Sequence, residues 1–339
     1  MSRFASCKRW AVLGAATLAL SLSAPVWAEQ YTVAFVPKLV GIPYFAAMKK
    51  GMDKAGEKFG MKIVYQGPST ADVAQQVNIV SSLINQGVDA VGVAANSPTA
   101  FGPMVEKARK KHIVFYSTDS QVAAEGNQLR VSQVNDKALG YKVIDVLAKQ
   151  LKAQKGQAEG QKSYKIAFVS GGSTATNLNT WIKFMKQRLK NKYPNIELVD
   201  IQYGGEDVTR ATNITNQLIS AYPDLDGIVG INTTAVPGAA QAVLTSGKKG
   251  QIVVTGITDP NTVRPYVING TVKKVVLWNP VDLGYLTGWG VKQILEGKSF
   301  KPVNDVPGLD HKIKYDPQTK TLLLGPPMVI DKSKIQLDF

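Results

Sequence analysis

The sequence predicts an α/β protein made of two similar, doubly wound parallel-sheet lobes joined by a hinge. Three observations carry that prediction. The chain has 339 residues, enough for two domains of ordinary size. It is 44% apolar and 19% charged, which excludes a disordered, collagen-like or polytopic membrane protein. Short apolar runs alternate with amphipathic stretches through the first half, and the pattern then starts again.

In the first half the apolar runs are 31–37, 62–65, 89–95 and 113–117, rich in Val, Ile and Phe. They are continuous rather than alternating, as parallel strands covered on both faces require. Between them Val73, Val77, Val80 and Ile84 share one helical stripe, and Phe101, Met104, Val105 and Ala108 share another. The second half repeats the first. Tyr31-Thr-Val-Ala-Phe-Val36 matches Tyr164-Lys-Ile-Ala-Phe-Val169. Asp89-Ala-Val-Gly-Val, a helix and the run 113–119 match Asp226-Gly-Ile-Val-Gly, a helix and the run 252–259.

The lobe boundary falls near 128–136, and 154–163 reads as a surface loop of the second lobe. A further apolar run, 276–280, precedes a helix reaching about Gly297. Residues 302–320 are polar and turn-rich, and Thr321-Leu-Leu-Leu324 is a last short strand. The expected division is therefore a leader over 1–28, lobe 1 over 29–133 and lobe 2 over 134–275. Residues 276–320 return to lobe 1, and 321–339 are expected to pack near the hinge or lobe 2.

Residues 1–28 have the layout of a cleaved secretory signal. Arg3, Lys8 and Arg9 form a basic start, an uncharged apolar stretch follows from Trp10, and Val26-Trp27-Ala28 supplies the short residues a signal peptidase reads. The stretch is short and Ser-rich for a membrane span. Cys7, the single cysteine, precedes it, so it is no lipid-attachment site and no intrachain disulfide can form. An exported, cysteine-free chain is expected in the periplasm.

The net charge is +15. Export argues against nucleic acid as the partner. The densest basic run, Lys107-Ala-Arg-Lys-Lys111, ends an expected helix, where cations complement the carbonyl end of the dipole.

In open parallel sheets ligands bind beyond the carboxyl ends of the strands. Two facing lobes bring those ends together across a cleft, so the residues just after each strand are the candidates. From lobe 1 these are Lys38, Tyr44, Phe45, Asn96, Ser97, Thr118 and Asp119. From lobe 2 come Asn177, Asn179, Asn232, Thr233, Thr258 and Asp259, with Trp278 and Asn279 at the return crossing. Amides, hydroxyls and carboxylates serve several ligand hydroxyls at once, and aromatic faces cover the C–H surface of a sugar. The competing role for each Asn, Ser, Thr or Asp is a helix cap or a turn. Phe45 and Trp278 compete with simple core packing.

Catalytic motifs are missing. Gly171-Gly-Ser-Thr174 lacks the spacing and the lysine of a P-loop and reads as a turn into a helix. There is no G-x-S-x-G, and the two histidines, His112 and His311, have no triad or metal-ligand spacing. No enzyme activity, metal or cofactor is expected.

Several segments resemble one family: Phe35-Val-Pro-Lys-Leu-Val-Gly41, Tyr65-Gln-Gly-Pro68, Asn85-Gln-Gly-Val-Asp89, Tyr222-Pro-Asp-Leu-Asp226 and Val236-Pro-Gly-Ala-Ala-Gln241. The strongest is Pro260-Asn-Thr-Val-Arg-Pro-Tyr-Val267, with Gly270-Thr-Val-Lys273, Leu277-Trp278 and the ending Ile335-Gln-Leu-Asp-Phe339. Together they resemble the periplasmic solute-binding proteins of ribose-type sugar ABC importers, of the type I periplasmic binding protein fold. The nearest branch is the one that binds autoinducer-2.

In that branch a Lys after the first strand holds the ligand, and Lys38 matches it. An Asp after the fourth strand aligns with Thr118, with Asp119 one residue later. The branch's Asp-Gln pair is Asn177-Leu178 here, its Pro and Ala contacts are Ile231 and Thr233, and the Asp beside the tryptophan is Asn279. The scaffold is kept and most of the ligand-contacting set has changed, which implies a different small sugar or polyol. The implied partners are that ligand and an ABC permease in the inner membrane, with the protein itself a monomer. The alternatives are an autoinducer-2 receptor and a sensory partner that presents a ligand to a chemoreceptor or sensor kinase. A repressor of the same fold would carry a DNA-binding headpiece where this chain has the leader.

Overall fold

The computed structural model describes residues 1, 30–156 and 163–337. The body of the expected leader and most of the expected loop 154–163 lie outside the described residues. Within that loop, Gln154 belongs to the end of a helix.

The first lobe begins with β1 (Tyr31–Val36), α1 (Pro43–Phe59), β2 (Met61–Tyr65) and α2 (Val73–Asn85). It continues with β3 (Ala90–Val93), α3 (Gly102–Lys110), β4 (Val114–Thr118) and β5 (Leu129–Val134). The five strands pair in parallel in the order β2-β1-β3-β4-β5. The second lobe repeats this with α4 (Asp136–Lys155), β6 (Tyr164–Ser170), α5 (Thr176–Lys192), β7 (Ile196–Tyr203) and α6 (Val208–Ala221). Then come β8 (Gly227–Gly230), α7 (Ala235–Thr245), β9 (Val253–Gly256), α8 (Pro260–Ile268) and β10 (Lys274–Leu277). Its order is β7-β6-β8-β9, with bridges from β9 and the residue after it to the β10 region. Both lobes therefore reverse strand order between their first and third strands. That reversal is the topological switch point where open α/β sheets bind ligands.

The repeat holds at the level of single atoms. The Thr32 N–H donates to Asp89 Oδ2 at 2.7 Å and the Asp89 N–H returns to the Thr32 carbonyl at 2.9 Å. In the second lobe the Lys165 N–H donates to Asp226 Oδ2 at 2.9 Å and the Asp226 N–H to the Lys165 carbonyl at 2.8 Å.

Each central strand is buried on both faces. Val33 and Phe35 pack with Met48 and Met52 of α1, whereas Ala34 and Val36 pack with Val80, Ile84 and Val105 of α2 and α3. Tyr116 on β4 lays its ring over Gly92 of β3, where a Cβ would sit 2.0 Å from the ring. Its hydroxyl donates to the Ala34 carbonyl of β1 at 2.8 Å. A side chain at Gly92 would remove that bridge across three strands.

The chain then returns through α9 (Pro280–Leu295) to the first lobe. There α9 packs on α1 so closely that a Cβ on Gly284 would lie 2.0 Å from the Met48 carbonyl. β11 (Val303–Asn304) and β12 (Ile313–Asp316) add antiparallel edges within the stretch expected to be turns. One expectation is narrowed. β13 (Thr321–Gly325) does not pack on lobe 2; it pairs in parallel with β5 in the first-lobe sheet, where its alternating Leu322 and Leu324 fill the core, and its end leads into the hinge. β14 (Met328–Asp331) does join the second lobe, antiparallel to β10. Val276 and Leu277 also remain there as part of β10.

Three connections thus run between lobes, at 134–136, 277–280 and 325–328. β5, which lies inside the expected boundary 128–136, is a full strand of the first sheet. Among the described residues no helix is long and apolar enough to cross a membrane.

Candidate ligand-binding site

The strand ends facing across the cleft enclose a cavity with about 340 Å³ of space not filled by protein atoms, its mouth included. Lys38 follows β1, and Tyr44 and Phe45 open α1, started by Pro43 in the first helical turn. Asp119 follows β4. From the second lobe Asn177 opens α5, Asn232 and Thr233 follow β8, and Trp278 follows β10. These eight, all named from the sequence, line the cavity.

One hydrogen-bonded chain runs through them. Trp278 Nε1 donates to the Tyr44 hydroxyl at 3.2 Å, and that hydroxyl donates to Asp119 Oδ1 at 2.7 Å. The Lys38 ammonium lies 3.7 Å from Asp119 Oδ2, and both side chains are only 4% exposed. The same ammonium donates to Asn177 Oδ1 of the other lobe at 3.3 Å. A second link crosses nearby, from the Thr174 hydroxyl to the Asn96 carbonyl at 3.0 Å. Aromatic rings wall the site: Tyr44 meets Trp278 edge-on at 6.0 Å, and Trp278 meets Trp181 at 5.7 Å.

Asp119 has φ +63°, in the left-handed region, which Asp tolerates better than most residues. That backbone turns its carboxylate into the cavity. Thr118, the aligned alternative, shares a hydrogen bond with Thr287 at 2.9 Å inside the core instead.

Burial pushes the Asp119 carboxyl up, against the opposing pull of the Lys38 ammonium and the Tyr44 hydroxyl. Burial also pushes the Tyr44 phenol well up, and the Asp119 charge adds to it.

Seven further residues named from the sequence, Asn96, Ser97, Thr118, Asn179, Thr258, Asp259 and Asn279, do not line this cavity. Asn96 supports it from behind, its side-chain amide donating to the Lys38 carbonyl at 2.9 Å. Thr118 is in the core, as above. Asn179 donates to the Ser173 carbonyl at 2.7 Å. Asp259 caps α8, accepting from the Thr262 N–H at 2.9 Å, and Asn279 caps α9, accepting from the Val281 and Asp282 N–H groups. For these last two the competing role, helix capping, is the one observed. Thr258 bonds to the Thr233 carbonyl and to Thr262.

Sequence reading missed Glu206, Trp181, Ile42 and Ile257, and it counted Leu178 only as a lost contact; all five line the cavity. Trp181 lies one helical turn beyond Asn177, a face signal available in the sequence. Its indole donates to Asp136 at 2.7 Å. Glu206 follows β7, a strand for which the sequence offered no candidate. Its Oε2 accepts from Asn232 Nδ2 at 2.6 Å. Gly171 makes room for this pair, since a Cβ there would lie 2.8 Å from both Asn232 Nδ2 and Glu206 Oε1. Burial pushes the Glu206 carboxyl up. Lys38 and Asn232 oppose the shift and Asp119 adds to it.

Among the described residues no cluster of His, Cys, Asp or Glu has the makings of a metal site. What the cavity offers is paired donors and acceptors between aromatic walls, with a contact that spans the two lobes. That is equipment for holding a small polar solute.

Comparison with known proteins agrees. A periplasmic binding protein domain matches residues 33–299. The D-allose-binding periplasmic protein of Escherichia coli is 26% identical over 79% of this chain and 84% of its own length. The ribose import binding protein RbsB of Bacillus subtilis is 24% identical over 85% of this chain and 92% of its own. Among solved structures, an ABC transporter solute-binding protein from Clostridium phytofermentas with bound L-rhamnose superposes with a TM-score of 0.82 at 26% identity. It covers 91% of this chain and 98% of that one. LsrB from Clostridium saccharobutylicum in complex with AI-2 gives 0.85 at 25% identity, over 91% and 100%. The chain belongs to the periplasmic binding protein domain family, among the two-lobed, non-enzymatic solute-binding proteins of sugar ABC transporters.

Proposed function

We propose that this protein captures a small sugar or polyol between its two lobes in the periplasm and delivers it to an ABC permease in the inner membrane. The observation that carries this reading is the Lys38 ammonium, which reaches Asp119 in its own lobe and Asn177 in the other. A group shared in this way couples the chemistry of the cavity to lobe closure. The ligand's hydroxyls exchange hydrogen bonds with Lys38, Asp119, Asn177, Asn232 and Thr233. Phe45, Trp181 and Trp278 cover its C–H faces. Residues 1–28 direct export and are cleaved, and the mature protein acts as a monomer.

The test is a thermal-shift panel of pentoses, hexoses, deoxysugars, polyols and autoinducer-2, with native mass spectrometry of the purified protein. A ligand at 100 times its dissociation constant adds about 2.7 kcal/mol of stability, a readily measured rise in midpoint. A hit among the sugars or polyols supports the reading, and silence across the panel with no co-purified mass sinks it.

Autoinducer-2 is in the panel because the match to LsrB covers the full fold and Lys38 lines the cavity. The sensory alternative uses the same cavity. A deletion that abolishes a behavioural response while leaving uptake intact favours it.

A further inference from the structure

We propose that the cavity selects neutral polyols and rejects their acidic counterparts, and that Glu206 is the residue that makes the distinction. The proposal rests on the sugar-binding reading above and narrows its substrate class.

The whole chain carries a net charge of +15, which attracts acidic solutes at long range. The cavity has the opposite local balance. Among its described lining residues the ionisable acids and bases with charge at neutral pH are Lys38, Asp119 and Glu206. The one cation is already committed, lying 3.7 Å from Asp119 Oδ2 and donating to Asn177. Among the described residues no arginine lines the cavity to grip a carboxylate in the two-pronged manner that acid recognition favours.

Among the described residues no salt bridge reaches Glu206, and the Lys38 ammonium acts on it only from a distance. Its Oε2 accepts from the Asn232 amide, and the same amide donates to the Thr234 hydroxyl at 2.9 Å. Asn232 Oδ1 is occupied by the Ala235 N–H at 2.9 Å, which fixes the amide with its donors towards Glu206. Glu206 lines the cavity with its Oε1 against Gly171, where a Cβ would come within 2.8 Å of it. A carboxylate oxygen there accepts from ligand hydroxyls or from an ammonium. A ligand carboxylate in the same space meets two negative charges and an ammonium already shared. Like charges brought together in a binding site weaken association by orders of magnitude.

The experiment pairs each sugar of the panel with its corresponding acid, D-ribose with D-ribonate, D-allose with D-allonate and L-rhamnose with L-rhamnonate among them. Affinities are measured by calorimetry at pH 7.5 for the wild type and Glu206→Gln. The expected result is that each neutral compound that binds does so at least about 100-fold more tightly than its acid. In E206Q that ratio falls by about 10-fold or more. An acid that binds wild type as tightly as its neutral partner overturns the selectivity and leaves sugar capture standing. A ratio unchanged in folded E206Q overturns the role of Glu206. If no neutral compound and no acid binds, the sugar-binding reading falls and takes this inference with it.

Should E206Q fail to fold, the wild type carries the test through pH. Burial raises the Glu206 carboxyl, with Asp119 adding and Lys38 and Asn232 opposing, so Glu206 takes up its proton before a sugar acid does. The ratio should narrow as pH is lowered from 7.5 towards the pKa of the sugar acid itself, and a ratio that stays constant down to that point overturns the assignment.

Discussion

Lys38 and Asn177 stand 139 residues apart in sequence and in different lobes, yet the Lys38 ammonium donates to Asn177 Oδ1 at 3.3 Å. Neither residue is part of an interlobe strand connection. Their contact therefore forms and breaks with the lobes themselves, at the place where a solute would be held.

Replacing Asn177 with Ala removes the far end of that contact while leaving the Lys38–Asp119 pair inside one lobe. A hydrogen bond to a charged group contributes about 1.5–3 kcal/mol. Asn177→Ala should therefore weaken ligand binding about 10- to 100-fold with little change in the ligand-free melting temperature. Calorimetry with the panel hit measures the first, and scanning calorimetry the second. Full affinity in the variant would remove Asn177 from the site.

Asp259 should behave in the opposite way. Its carboxylate is taken up by the Thr262 N–H and the Thr262 hydroxyl, and it is 2% exposed beneath the start of α8. Losing an N-cap costs about 1 kcal/mol. Asp259→Ala should lower the melting temperature and leave affinity unchanged, and Asp259→Ser should recover most of the loss. A fall in affinity without a fall in stability would return Asp259 to the binding site.

The contrast between Asn177 and Asp259 shows how much of the site could be read from the sequence. Strand ends were legible, because continuous apolar runs such as 31–36 and 164–169 mark parallel strands, and each ends close to its true limit. The switch-point rule then pointed to Lys38, Asp119, Asn232 and Thr233, which line one cavity. It could not tell a ligand donor from a cap, since Asn and Asp just after a strand suit both. Asp259 and Asn279 resolved as caps because their side chains turn back onto the next helix's free N–H groups. Glu206 was missed because β7, on the outer edge of its sheet, is only partly buried and lacks the continuous apolar run of the central strands. The pairing of β13 with β5 was not legible because partner choice between two sheets is a tertiary decision that a five-residue strand does not encode.

The backbone at Asp119 gives a prediction that separates conformation from charge. With φ at +63° this residue occupies a region that costs a β-carbon-bearing residue roughly 1–2 kcal/mol. Asp119→Ala and Asp119→Gly both remove the carboxylate from Lys38 and Tyr44, so both lose that stabilisation. They differ in the backbone. Asp119→Gly should be more stable than Asp119→Ala by about 1 kcal/mol, although glycine is normally the worse choice. Chemical denaturation of both variants measures the difference. Equal stability, or a more stable Ala, would show that the position carries no left-handed strain.

The hinge supplies the remaining prediction. His311 sits beside the third interlobe connection, with Nδ1 2.8 Å from Asp310 Oδ1 and Nε2 2.7 Å from the carbonyl of Leu324, the residue before Gly325. Both partners are acceptors, so both ring nitrogens are satisfied only when each carries a proton. The Asp310 hydrogen bond chiefly raises the His311 pKa. Partial burial works against the shift, and the Leu324 carbonyl and the nearby Asp282 reinforce it. Lys312 and Lys314 line the same hollow, together with Asp282 and the hinge residue Asn279. A histidine whose folded-state pKa is raised stabilises the fold fully below its unfolded value of about 6.5 and ceases to do so as pH rises through the raised value. Melting temperature should therefore decline as pH rises above about 6.5, and His311→Gln should flatten the decline. His112, the second histidine of the chain, serves as the control, and His112→Asn suits its φ of +58°. A decline that survives in His311→Gln but disappears in His112→Asn would assign the proton to the wrong histidine. A decline removed by His311→Gln alone ties protonation to the strand that enters the hinge.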